Sequence, residues 1–216
     1  MLNETMEKLA LLLLGWLLGL LAPIVVDAIK RRRENKLGRK AIRSELSSLK
    51  IKLALCSYTI EEHLGTMTRQ CLKWLIKHLS AETGDADALK ICSVLKPYLQ
   101  ATDDQLNQFF LSKKAPTGKS LTLQKYVTPL LDARVSALWS FDTDTQRTLL
   151  EIRSALDFNA ETVERAKYYN NLTFQKLENG NHTLVVDNIE GCYKQYAAQA
   201  KRIIELIERF ESFKKS

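Results

Sequence analysis

Cys56, His63, Cys71 and His78 are residue types that bind zinc, and they recur at steps of 7, 8 and 7 residues. On one helix each step is about 10 Å of axial rise, so the four cannot surround a single ion within one chain. An apolar stripe of helical period already accounts for Cys56, His63 and Cys71 as interior side chains, with His78 at its edge. The segment "KKAPTGKS" ends like the phosphate loop GxxxxGK followed by Ser or Thr, with Gly118, Lys119 and Ser120 in place. The first glycine of that pattern would stand at position 113, which is Lys113, and an amphipathic helix rather than a buried strand precedes it. The segment therefore reads as an exposed basic loop. His63, His78 and His182 are the three histidines; the carboxylates nearest His63, Glu61 and Glu62, adjoin it and point elsewhere on a helix. No GxSxG, HExxH or ExxH pattern occurs. These readings predict no catalytic residue, no metal and no cofactor.

The elements that position these residues begin with "LALLLLGWLLGLLAPIVVDAIKRRR", from Leu9 to Arg33. No charge occurs between Leu9 and Val26, a stretch that at about 1.5 Å per residue approaches the thickness of a bilayer core. The stretch is apolar all round, unlike the helix of a soluble core. A cleaved export signal would carry a basic start and a small-x-small cut. Here Glu4 and Glu7 stand against Lys8, and the run ends in Pro-Ile-Val-Val. A transmembrane helix over 9–29 is predicted. Gly15 and Gly19, extended by Ala22, form a small-residue ridge on which two such helices could pack closely. Pro23 is expected to kink the span.

Orientation follows from the flank. Lys30, Arg31, Arg32, Arg33, Lys36, Arg39 and Lys40 follow the span directly, and basic residues stay on the cytoplasmic side. The expected plan is an extracytoplasmic tail over 1–8, the span over 9–29, a basic segment over 30–40 facing anionic headgroups, and a cytosolic helical bundle over 41–216. The whole chain carries a formal charge of +7, and the excess of basic over acidic residues between Asp27 and Lys52 equals all of it. The rest is near neutral, which argues against a nucleic-acid surface. In the cytosol Cys56, Cys71, Cys92 and Cys192 are expected as reduced, buried thiols, and the NxT triplets at Asn171 and Asn181 are not glycosylated.

The body reads as all-α. Ile42, Leu46, Leu49, Leu53, Cys56, Ile60, His63 and Met67 form a stripe in steps of 3 and 4, a helix interface of coiled-coil-like spacing. The pattern predicts one helix over 34–80, stopped at Gly84, and leaves open whether it is continuous with the span. A helix over 86–99 limited by Pro97 follows, then one opened by a Thr102–Gln105 capping box. Residues 121–127 are expected as a helical turn before a helix started by Thr128-Pro129, with Leu130, Leu131, Val135, Leu138 and Trp139 on its apolar face. A long helix starts at Thr143 with Gln146, carrying Leu149, Ile152, Leu156, Asn159, Val163 and Ala166. Asn159 interrupts that stripe as a register-fixing amide. After a stop at Gly180 the last helix carries Val185, Ile189, Cys192, Tyr196, Ala200, Ile203, Ile207 and Phe210. The fold expected is an N-terminal transmembrane helix followed by an antiparallel bundle of long helices.

The run "LGWLLGLLAPIVVDAIKRRR" ahead of an all-helical body resembles a loose group of uncharacterised bacterial single-pass membrane-anchored proteins. The likeness covers the first forty residues and carries no function. It implies a bacterial protein of the inner membrane. The function expected is a non-catalytic interaction module, a scaffold, sensor or regulator, whose partners are membrane lipids including anionic headgroups, an unidentified protein, or a second copy. One alternative is a stress or phage-defence effector that acts on the membrane by oligomerising through its span. Another is an enzyme whose site is assembled across the chain.

Overall fold

The structure, a computed structural model, describes residues 2–80, 86–116, 118–133, 138, 140–175 and 181–213. Among the described residues the chain forms α-helices and one 3-10 turn, with no strand. The expected stops at Gly84 and Gly180 and the apolar positions Val135 and Trp139 lie outside the described residues.

Helix α1 (Leu2–Leu64) is a single helix of 63 residues, and Pro23 lies within it without ending it. Its two parts meet different surroundings. From Leu11 to Arg33 every side chain is exposed, Trp16 to 64 % and Ile29 to 64 %. From Gly38 onward one side is covered, and Ile42, Leu46, Leu53 and Ile60 are fully enclosed. The apolar part is long and apolar enough to cross a membrane.

The helix expected over 34–80 divides at Gly65, a correction to the sequence reading. Gly65 takes φ +67°, its N–H donates to the Glu62 carbonyl at 3.1 Å, and the Thr66 N–H donates to the Glu61 carbonyl at 3.0 Å. That pair of bonds is the left-handed glycine ending of a helix, and it satisfies two of the last carbonyls. Thr68 then caps the next helix by accepting from the Cys71 N–H at 3.2 Å. Helix α2 (Arg69–Ser80) folds back along α1, which the contacts of Lys201 with Glu61 and Trp74, and of Glu208 with His78, fix in direction. Met67 is buried in the turn itself.

Helix α3 (Ala86–Leu95) runs into a 3-10 turn (Lys96–Gln100) at Pro97. Helix α4 (Asp103–Lys113) opens with the expected capping box, Thr102 and Gln105 each accepting from the other's backbone N–H. Arg69 ties this layer to α2: it pairs with Asp103 at 2.6 Å and donates to the carbonyls of Leu99, at 2.7 Å, and Ala101.

Residues 118–128 are not the helical turn expected over 121–127 but a strap without helix. Its ends explain this. It starts beside His63 and ends where the Glu45 carboxylate accepts from the Leu130 and Leu131 N–H groups, both at 2.9 Å. His63 and Glu45 are about 27 Å apart along α1, and a helix of ten residues covers only about 15 Å. The extended backbone finds its partners in two buried tyrosines. The Tyr193 hydroxyl accepts from Leu121 N–H at 2.8 Å and donates to its carbonyl at 2.9 Å, and Tyr196 donates to the Gln124 carbonyl at 2.7 Å. Helix α5 (Pro129–Ala133) follows the strap.

Helix α6 (Thr143–Leu172) is capped one residue earlier than expected: Asp142 accepts from the Thr145 N–H at 2.9 Å, while Gln146 reaches back to the Phe141 carbonyl at 2.8 Å. Helix α7 (Asn181–Ser212) buries every residue of its expected stripe. Arg209 meets Glu151 and Arg165 meets Gln195, so α6 and α7 are antiparallel; Lys50 meets Glu211 and Glu61 meets Lys201, so α1 and α7 are too. Three long helices and α2 close an antiparallel bundle around one apolar core.

Candidate functional site

The residues expected to face headgroups sit where the lipid-compatible part of α1 gives way to the bundle. Lys30, Arg31, Arg32, Arg33, Lys36 and Lys40 are exposed, with no described carboxylate within ion-pairing distance. Arg39 departs from this group. Its guanidinium donates to the Ser140 carbonyl at 3.2 Å and lies 6.0 Å from the centre of the Phe141 ring. Arg43 lies over Phe210 at 5.6 Å, and its Nε is buried without a protein partner among the described residues.

Together Arg33, Lys36, Arg39, Lys40 and Arg43 line an open groove of about 1070 Å³, with Glu211 of α7 as its carboxylate. Glu211 is engaged by Lys50 at 2.9 Å, which leaves the groove strongly positive. If Ile29 marks the hydrocarbon edge, Lys36 stands about 10 Å above it and Arg43 about 20 Å. Against a headgroup layer of roughly 5–8 Å, the first four basic residues and Lys36 would then lie within side-chain reach of it. Lys40 and Arg43 stand at the base of the bundle.

At Gly15 and Gly19 no atom lies within 4 Å of the place a Cβ would take, so the ridge continued by Ala22 is open. The stripe Ile42, Leu46, Leu49, Leu53, Ile60 and Met67 is buried inside the chain's own core, chiefly against α7. It is an interface between helices of one chain, and no second copy can use it without unfolding the bundle.

The would-be zinc ligands separate. His63 stands at the far end of α1, its ring edge-on to Tyr193 at 5.5 Å. His78 is on α2, buried against Trp74 and 3.5 Å from Glu208. Among the described residues no group of three or more His, Cys, Asp or Glu is placed to hold a metal ion. Burial pushes the Cys56 and Cys71 thiols up to about 11, which makes them poor nucleophiles at neutral pH. Burial likewise lowers both His63 and His78 from the ordinary imidazole value. Asn159 is buried, but its Oδ1 finds no protein partner among the described residues. Across the surface of the same pair of helices, Arg165 meets Gln195 and Glu151 meets Arg209.

The sequence reading missed one feature. The "KKAPTGKS" loop is not isolated: Ala115 donates to the His63 carbonyl at 2.9 Å, and the loop walls a cavity with His63 and His182. Lysines in the loop were visible; their meeting with histidines far along the chain was not.

No family model, curated protein or solved structure matches the chain.

Proposed function

We propose that the chain is a membrane-anchored helical interaction module, a non-catalytic scaffold, sensor or regulator whose bundle is held at the inner face of the plasma membrane. One observation carries this reading: the apolar part of α1 leaves the bundle entirely, so about 19 residues of hydrocarbon-compatible surface have no protein cover. Exposing that much apolar surface to water is unfavourable, and a bilayer removes it. The basic run from Lys30 supports an orientation with the amino terminus outside and the bundle in the cytosol. Because α1 continues without a break into the core, the bundle is carried on a rod rather than on a flexible tether. Anionic headgroups are the partner nearest the rod's base. A second copy is the partner that the open ridge of Gly15, Gly19 and Ala22 accommodates, and a protein partner would meet the bundle surface.

Fractionation and reporter fusions test the reading. The intact protein is expected in the pellet after alkaline carbonate extraction, with a carboxy-terminal reporter active only in the cytosol. Recovery in the high-speed supernatant, or a mature chain cut after the apolar run, overturns it. Crosslinking in membranes checks self-association: a dimer band lost in Gly15→Leu, Gly19→Leu is expected, and monomer alone removes the second copy as a partner.

A further inference from the structure

At the end of the bundle farthest from the span, the last turns of α1 and α6, the first turns of α7 and the loop after α4 enclose a cavity of about 280 Å³. Its polar wall is His63, Lys114, Lys119, Asn170, Thr173 and His182. Its apolar wall is Val186 and Ile189, and Phe174 stands at its rim, 89 % exposed. Glu190 is the carboxylate of the lining, and it is engaged by Lys114 at 3.8 Å and Lys194 at 4.0 Å. Lys119 has no such partner: no described carboxylate lies within ion-pairing distance of it.

We infer that this cavity binds a small soluble phosphomonoester, with Lys119 and His63 on the phosphate and the apolar wall and Phe174 against the organic part. Among the described lining residues Glu190 is shared by Lys114 and Lys194, so Lys119 is the cation left without a carboxylate. An ammonium donor to phosphate oxygens is charge-assisted and stronger than a neutral one, while His63, held below the ordinary imidazole value by burial, meets the phosphate as a neutral ring. The site is held rather than assembled by the ligand. Tyr193 braces His63 from the side and bonds both backbone groups of Leu121, which fixes the loop that carries Lys119. The loop is not a nucleotide-binding phosphate loop, since it lacks the first glycine and the strand; it acts through lysine side chains instead. The volume suits a ligand of metabolite size and exceeds what inorganic phosphate fills.

Phosphate chemistry is shared by soluble metabolites and by lipid headgroups, and position separates them. His63 lies 34 residues beyond Ile29 on an unbroken helix, about 50 Å above the hydrocarbon edge. A headgroup at the membrane does not reach that height. This distance rests on the anchored reading; the binding itself does not.

Calorimetric titration of the full chain in detergent tests the inference, with adenosine 5′-monophosphate, inorganic phosphate, adenosine and short-chain phosphatidic acid as separate probes. The monophosphate is expected to bind with Kd below about 1 mM, phosphate more weakly, and adenosine not at all. Lys119→Ala and His63→Gln are each expected to weaken monophosphate binding about tenfold. Lys36→Ala with Lys40→Ala, at the other end of the molecule, is expected to leave it unchanged. Far-UV helicity confirms that each variant is folded. Absence of binding by the folded wild-type chain, equal binding by Lys119→Ala, or binding of phosphatidic acid without the monophosphate overturns the inference. Membrane fractionation is unaffected by any of these results, so the two readings fail separately.

Discussion

Gly65 carries more of the fold than any neighbouring side chain. It ends α1 in a conformation that costs an L-residue about 1–2 kcal/mol. A Cβ there would also stand 3.0 Å from Lys114 Cβ and 3.1 Å from the Phe110 carbonyl oxygen. Gly65→Ala is therefore expected to destabilise the bundle by about 2 kcal/mol or more, read as a lower urea midpoint with unchanged slope. A change below about 0.5 kcal/mol would mean that the turn relaxes freely. The histidines act through protons. For His78, and for His63, burial is the largest cause of an imidazole held below its ordinary value, with Glu208 the main opposing influence at His78. The folded chain thus binds fewer protons than the unfolded one once pH falls below about 6.5. Stability is complete above that pH and declines as pH drops toward the lowered folded-state values. The melting temperature is expected to be lower at pH 5.5 than at 7.5, and His78→Gln to narrow the difference. An undiminished difference in the variant would place the protons elsewhere.

Among the elements, α5 opens with N–H groups that have no partner inside the helix. Glu45 on α1 holds its first N–H groups with both carboxylate oxygens, favourable for hydrogen bonding and for the helix dipole. Glu45→Ala is expected to cost about 1 kcal/mol and to speed amide exchange at Leu130 and Leu131 selectively. Uniform acceleration across α6 and α7 would show that the carboxylate supports the whole bundle instead. The strap before α5 depends on Tyr193 in the same way. Tyr193→Phe leaves both Leu121 backbone groups without their buried partner, for an expected loss of about 1–3 kcal/mol.

For the whole molecule, the change of environment along α1 divides the chain into a lipid-compatible rod and a self-contained core. Packing begins at Gly38, beyond the exposed apolar run, and nothing between Leu11 and Arg33 touches the bundle core. A chain beginning at Glu34 is expected to be soluble without detergent and to unfold cooperatively. Aggregation of that chain would show that the span contributes to folding. The same geometry sets the two ends of the bundle apart: the basic groove stands at its base, where the rod enters, and the His63 cavity at the opposite end.

The helical class, the long apolar N-terminal helix, the stripes of α6 and α7 and the Thr102 cap were legible in the residues alone, because each depends on neighbours three or four positions away. The glycine ending at Leu64-Gly65 and the Thr68 cap were legible too, but the unbroken apolar period across them read as one helix. Other features belonged to the tertiary structure. The strap is extended because its ends are farther apart than a helix reaches, and α5 is capped by a carboxylate 85 residues earlier in the chain. The cavity unites His63, Lys119 and His182. Such meetings depend on which helices pack together and in which direction. Local periodicity carries no record of either, because it specifies which face of a helix is apolar and not what that face will touch.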